Sequence, residues 1–363
     1  MIHHAAIRLP LDNGVLADRL PRWLLGGLQY NGFEAVFLFF VISGSLIASN
    51  SMARWGALAA IDVRAFYGRR AARIVPCLLI LVAALSALAL AGAPRYTMEQ
   101  PAQTVAGSVM SALGLYLNVC QARTGWLPAG WGVLWSLSVE EVFYLAFPVV
   151  CLLVARTRLL VPSLALLALS IPVVRGNIHH DPIWAEENYL QGMAAIATGV
   201  LAALLARRWP RVPRSTVRWT TALGLVGLLA VFCAGEALWH VLHHGDMLVL
   251  TFSAASLVLA SRWHAPAWAP ASASTGAFAW LRSFGRLSYE IYLVHMFVVW
   301  AVVDAVKGAG GDPRWSMAWY APVLAGAWAL GWLVARFISQ PLARRLTRAC
   351  ALPASAFGKE VVA

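Results

Sequence analysis

Residues 139–155, with the sequence VEEVFYLAFPVVCLLVA, form the stretch that decides the class of fold. After an acidic pair near its start, this run carries no further charge. Its length is close to the span of roughly 20 residues that a helix needs to cross a hydrocarbon core of about 30 Å. Eight similar runs fill most of the remaining sequence, at 26–49, 77–93, 159–174, 193–206, 219–235, 247–261, 288–306 and 319–337. The sequence therefore predicts an all-α fold, a polytopic transmembrane helical bundle with nine visible spans.

The composition agrees with a membrane protein. Of the 363 residues, 60% are hydrophobic and 12% are charged, whereas charged residues make up about 25% of soluble domains. The net charge of +12 is divided among short clusters between the apolar runs, which indicates contact with membrane lipid and no nucleic-acid partner. We predict one membrane domain over 1–348 and a short C-terminal tail over 349–363. The five cysteines are scattered, so we expect no metal and no bound cofactor.

A weaker apolar run at 103–120 contains small and polar residues, and so predicts either a span or a re-entrant segment. Cytoplasmic loops are enriched in Lys and Arg. If 103–120 does not cross, the strongly basic segments, including 207–218 with its five arginines, all lie on one side. We therefore predict that 103–120 is re-entrant. The same assignment places 1–25 on the outer side, from which we expect that a first helix is missing before Met1.

Three arginines lie just before the predicted span 77–93. Arg70 and Arg73 are three residues apart, so they share one face of a helix, and Arg69 lies four residues before Arg73. Guanidinium groups bind phosphate oxygens bidentately, which makes this cluster a candidate phosphate site. Basic clusters beside membrane spans more often contact anionic lipid headgroups and set the topology. The sequence alone leaves both interpretations open.

Two other spans carry polar groups at their ends. Glu140 and Glu141 begin the run 139–155; an ionisable residue at membrane depth is a functional candidate, although the helix dipole also favours carboxylates at a helix N-terminus. Ser288, Tyr292 and His295 follow a helical repeat and predict one polar face. That face indicates either a site within the bundle or a polar packing seam between helices.

Two further features are less specific. Within Phe39–Ile47, the small residues Ser43 and Gly44 interrupt a run of bulky residues. This gap allows close approach of either a ligand chain or a neighbouring helix, and we favour the helix. His3 and His4 form a histidine pair, which by itself does not predict a metal site.

Taken in this order, five segments resemble the membrane acyltransferase-3 family, bacterial enzymes that O-acylate cell-surface sugars. Phe39–Ile47 is similar to the family's F-F-V-L-S-G-F-L-I segment, Arg70–Pro76 to R-x-x-R-I-x-P, and Trp135–Tyr144 to W-S-L-x-V-E-x-x-F-Y. Ser288–His295 is similar to S-Y-x-x-Y-L-x-H, and Ser339–Leu342 to the closing E-x-P segment. The departures are the missing first helix, Ser45 where the family usually has Phe, and Gln340 where it usually has Glu.

The resemblance implies an acyltransferase of the bacterial inner membrane that serves polysaccharide biosynthesis by O-acetylation. It would move an acyl group from cytoplasmic acyl-CoA, acetyl-CoA first, to a carbohydrate acceptor, a hydroxyl of a surface polysaccharide or lipid-linked sugar. His4 matches the family's histidine at the end of its first helix and is expected to be the general base, with Glu140 orienting it or acting on the acceptor. The expected donor-binding residues are Arg69, Arg70, Arg73, Ser43, Gly44, Tyr292 and His295. The expected supporting residues are Trp135, Ser136, Tyr144, Ser288 and His3.

Two alternatives stay open at this point. A polytopic transporter of sugars or acylated glycolipids also has many helices with buried polar groups, but carriers usually show internal repeats, which are not visible in this sequence. An inactive, truncated acyltransferase homologue is the other, because a shortened first helix would leave His4 without an anchor.

Overall fold

A computed structural model describes residues 1–15, 17–178, 181–264 and 279–349, and the predicted tail beyond Ala349 lies outside this part of the chain. The described residues form an all-α structure without a β-strand, as predicted. The α-helices are α1 Ile2–Ala6, α2 Arg22–Tyr30, α3 Gly32–Trp55, α4 Val63–Leu90, α5 Val105–Leu113, α6 Leu117–Thr124, α7 Trp135–Val154, α8 Leu160–Leu169, α9 Ile171–Gly176, α10 Pro182–Glu187, α11 Tyr189–Arg208, α12 Arg214–Leu242, α13 Asp246–His264, α14 Ala279–Arg286, α15 Ser288–Gly308, α16 Tyr320–Val334 and α17 Gln340–Ala349. A π-helical turn, Ala335–Ser339, joins the last two.

Seven segments of the described chain are long and apolar enough to cross a membrane. One of them, Arg214–His264, contains two predicted spans, which form α12 and α13 and are joined by a short 3-10 turn. The predicted span 159–174 is instead divided into α8 and α9, which together are shorter than a full crossing helix. The predicted span 26–49 also differs, because its first residues belong to α2 and the crossing segment is α3. The chain is nevertheless a multi-pass membrane protein, as predicted.

The segment 103–120 forms two short helices, α5 and α6, rather than one continuous helix. Neither has the length needed to cross. The amide of Gln103 donates to the carbonyls of Thr124, Gly125 and Trp126 at 3.0–3.2 Å, which joins the start of the segment to its end. At the turn between the helices, the Tyr189 hydroxyl donates to the Leu115 carbonyl at 2.5 Å. This closed loop fits a segment that enters the bundle and returns.

Helices α3 and α11 lie at the centre of the bundle and approach each other through glycine. A Cβ atom on Gly44 would lie 1.9 Å from the Ile196 carbonyl oxygen, and one on Gly199 would lie 1.9 Å from the Val41 carbonyl oxygen. Such close backbone contact is how small residues bring membrane helices together. The packing interpretation of Gly44 is thus the one that the structure supports.

The short helix α1 is held firmly at the edge of the bundle. Ala5 and Ala6 are fully buried, in a cluster with Val299 and Val303 of α15. Arg8 donates to the His4 carbonyl at 2.6 Å. These contacts fix the position of His4 in the described chain.

Candidate active site

Helices α3 and α7 bring together the first polar cluster of the candidate site. The hydroxyls of Ser43 and Tyr144 both lie within hydrogen-bond distance of the same carboxylate oxygen of Glu140 and of each other, so two hydroxyl protons are shared among three contacts. Tyr144 is buried, whereas Ser43 and Glu140 are partly exposed. Glu140 and Tyr144 lie one helical turn apart on α7, so their side chains project from one face of that helix. We call Ser43, Glu140 and Tyr144 the inner cluster.

The three predicted phosphate-binding arginines lie within α4 but do not all point toward the inner cluster. The Arg70 guanidinium lies 3.5 Å from the centre of the Tyr144 ring, and Arg73 lies 6.0 Å from the centre of the Tyr289 ring. Arg69 turns away onto Trp55, at 4.8 Å. Among the described residues, the Arg70 Nε atom has no hydrogen-bond partner. Arg70 therefore leaves its Nε donor free beside α7, and Arg73 lies beside Tyr289 of α15.

Gly44 occupies a different position from the one expected of a donor-binding residue. The position that a Cβ atom of Gly44 would occupy is filled by the α11 backbone, which leaves no room for a ligand. Ser43, its neighbour in sequence, points instead toward α7. We therefore correct the expected lining of the donor path by removing Gly44 and retaining Ser43.

Helices α1 and α15 bring together a histidine pair from opposite ends of the chain. The rings of His4 and His295 have centroids 5.3 Å apart. The Nδ1 atom of His295 donates to the Tyr292 carbonyl at 2.7 Å and lies 3.2 Å from the Ile291 carbonyl. Its Nε2 atom is buried and has no partner among the described residues. Since a carbonyl only accepts, the neutral His295 ring carries its proton on Nδ1 and a free lone pair on Nε2.

His3 and His4 have different surroundings although they are adjacent in sequence. His3 packs on the backbone of Gly32 and donates from Nδ1 to the Gln29 carbonyl at 2.7 Å. Burial lowers the pKa of the His4 imidazole well below its ordinary value of 6.5, and the nearby His295 lowers this pKa further. His4 is therefore neutral at physiological pH and able to accept a proton.

Tyr292 and Ser136 lie between the histidine pair and the inner cluster. Their hydroxyls are 2.6 Å apart, and Tyr292 also donates to the Val133 carbonyl. Ser136 precedes Glu140 by one helical turn on α7, and Tyr292 precedes His295 by one turn on α15. At 1.5 Å per residue, His295 is displaced about 10 Å along α15 from Ser288 at the helix start. Polar side chains thus follow one another from His4 to Arg70.

The remaining predicted residues mainly hold this arrangement together. Trp135 is buried and packs against Phe33 and Phe40 of α3, which positions the start of α7. Ser288 is the first residue of α15 and is partly buried. No hydrogen bond joins Glu140 to His4, so the expected orienting contact between these two residues is not formed in the described structure.

Two buried carboxylates were not predicted. The Gln121 amide donates to both oxygens of Glu187 at 2.9 and 2.8 Å, and both side chains are almost fully buried. Ser339 donates to Glu290 at 2.6 Å, which connects the closing segment to α15. Nothing in the sequence indicates that Gln121 is the partner of Glu187. The described residues contain no cluster of three or more metal-ligating side chains.

Comparisons with known proteins identify the family. A family model described as an acyltransferase domain matches residues 1–336. The O-acetyltransferase OatA of Staphylococcus aureus is 25% identical over 298 residues, which cover 77% of this chain and 47% of the relative. The peptidoglycan O-acetyltransferase OatA of Listeria monocytogenes is 26% identical over 286 residues, which cover 74% and 45%. The chain spans about half the length of these curated relatives, and no solved structure matches it. The match over residues 1–336 shows that the chain belongs to the acyltransferase-3 family of multi-pass membrane proteins.

Proposed function

We propose that the chain is an O-acyltransferase of the bacterial inner membrane, which transfers an acetyl group from cytoplasmic acetyl-CoA to a hydroxyl of a cell-envelope sugar. The observation that carries this proposal is the series of polar side chains between the histidine pair and Arg70. A base, a carboxylate and guanidinium donors lie within one helical bundle, and these are the groups that acyl transfer from a phosphate-bearing donor requires.

The donor would bind at the inner cluster. Arg70 and Arg73 would bind the phosphates of acyl-CoA, because a guanidinium keeps its charge and forms paired hydrogen bonds with phosphate oxygens. Arg69 contributes less, since its guanidinium lies on Trp55. The thioester would extend past Ser43 and Tyr292 toward His295, and the rise of about 10 Å along α15 is short enough for an extended arm to span.

The acceptor hydroxyl would be activated at the histidine pair. His4 is neutral, so it can take the hydroxyl proton while the oxygen attacks the thioester carbonyl. Both relatives are named O-acetyltransferases and one is named for peptidoglycan. Sugars of peptidoglycan are therefore the first acceptors to test, together with surface polysaccharide and lipid-linked sugars.

The test uses purified protein in liposomes, with labelled acetyl-CoA inside and soluble peptidoglycan fragments outside. We expect labelled ester on the fragments. His4→Ala should abolish the transfer, and Arg70→Ala should raise the KM for acetyl-CoA more than the KM for the fragments. Arg218→Ala, which removes an exposed arginine from α12, is the matched control. Ester formation that persists in His4→Ala would overturn the assignment of the base, and equal changes in both KM values would overturn that of Arg70.

The same experiment separates the two alternatives. A transporter would move fragments across the membrane without forming an ester, and an inactive homologue would do neither. Acetyl ester on the fragments, dependent on His4, would exclude both.

A further inference from the structure

Resting on the function proposed above, we infer that His295 is a second catalytic residue, which returns the acceptor's proton to the departing CoA thiolate. The pair of His4 and His295 then handles the proton of the reaction completely, without exchange with water on either side of the membrane.

The His295 ring is held in one orientation. Its Nδ1 proton is committed to the Tyr292 carbonyl at 2.7 Å, which holds the ring in one tautomer. The free lone pair therefore lies on Nε2, which is buried and unpartnered among the described residues. Leaving a buried polar atom without a partner is unfavourable. An atom placed in this way is suited to receive a proton during the reaction.

His4 lies next to His295. The two rings have centroids 5.3 Å apart and no hydrogen bond joins them among the described residues, so a proton would pass between them through one bridging water molecule. Two protonated imidazoles side by side in a buried site repel each other, so the pair holds one extra proton at a time.

The proton of the acceptor is conserved through the transfer. The acceptor oxygen bonds to the thioester carbonyl carbon while its proton moves to His4, and this gives a tetrahedral oxyanion. The proton passes from His4 to Nε2 of His295. The oxyanion collapses, the carbon–sulfur bond breaks, and Nε2 of His295 donates the proton to the thiolate. The products are the acetyl ester and neutral CoA thiol, and both histidines are neutral again.

This route has a measurable consequence across the membrane. The acetyl group leaves the inner side as the equivalent of an acyl cation, and one proton returns with the thiol, so the complete reaction moves no net charge. If His4 instead released its proton to outer water, the outer solution would gain one proton for each ester, and the inner solution would lose one to the thiolate.

The experiment measures ester and outer pH together, in weakly buffered liposomes with acetyl-CoA inside, peptidoglycan fragments outside and an impermeant pH dye outside. For the unmodified protein we expect at least ten esters formed for each proton released. A ratio near one proton per ester would overturn the inference while leaving the proposed function intact. Absence of ester would instead overturn the proposed function.

Variants test His295 itself. His295→Asn keeps an amide donor for the Tyr292 carbonyl but removes Nε2, so it should fold, lower the rate at least tenfold and release close to one proton for each remaining ester. His295→Gln serves as a second variant if the first folds poorly. His240→Gln, which changes an exposed histidine of α12, should leave both rate and stoichiometry unchanged. Full rate in both His295 variants would overturn the assignment of His295 as a catalytic residue.

Discussion

Replacing Gly44 by alanine tests the close packing of α3 against α11. The added Cβ would lie 1.9 Å from the Ile196 carbonyl oxygen, whereas real Cβ contacts essentially never fall below 3.0 Å. The two helices must therefore separate by roughly 1 Å, and overpacking of this kind costs typically about 1–3 kcal/mol. Because the obstructing atom belongs to the backbone of a central helix, we expect the upper end of that range.

The matched control is Gly68→Ala on α4, where an added Cβ meets no atom within 4 Å. Alanine has a higher helix propensity than glycine, so this variant should be neutral or more stable by up to about 1 kcal/mol. The assay is the free energy of unfolding in mixed detergent micelles, with helical circular dichroism as the signal. We expect the Gly44 variant to be less stable than the control by about 3 kcal/mol. Equal stability of the two variants would refute the close contact described for α3 and α11.

Three further predictions concern polar contacts. Ser136→Ala removes the 2.6 Å contact with Tyr292, which keeps its bond to the Val133 carbonyl. The free energy of unfolding should therefore fall by only about 1 kcal/mol, and a fall above about 3 kcal/mol in the same assay would contradict this. Gln121→Leu leaves the Glu187 carboxyl without its amide partner, so the free energy of unfolding should fall by about 1–3 kcal/mol. Unchanged stability would contradict the burial of that pair. The pKa of His4 is lower in the folded protein than in the unfolded chain, so unfolded His4 binds a proton first as pH falls. The free energy of unfolding should therefore decrease as pH falls below about 6.5, and it should decrease less in His4→Gln. Identical pH profiles of the unmodified protein and His4→Gln would contradict the burial of His4.

The sequence predicts the helices well because burial in lipid demands long apolar runs. The start of α15 at Ser288 agrees with the predicted span, and α7 begins at Trp135, four residues before the apolar run it contains. α4 begins at Val63 rather than at 77, since arginines within its first turns do not prevent helix formation. The division of 159–174 at Ser170 was not predicted, because hydropathy does not register a local break in the backbone.

The candidate site was predictable where its members lie on one helix. Tyr292 and His295 share a turn of α15, and Glu140 and Tyr144 share a turn of α7, as their spacing indicates. Contacts between helices were not predictable from spacing. The contact of His4 with His295 and the bonds of Ser43 with Glu140 depend on how the bundle folds, and the family resemblance brought these residues together without giving their geometry.

The hydrogen bonds of the re-entrant segment also limit how substrates reach the site. Gln103 closes its base, Tyr189 holds its turn, and the Asn118 amide donates to the Glu187 carbonyl at 3.0 Å within the buried interior. Swinging this segment aside would expose or strand all of these groups, at about 1 kcal/mol or more for each. The segment therefore stays fixed in the bundle, and any acceptor that reaches the proposed site must pass alongside it.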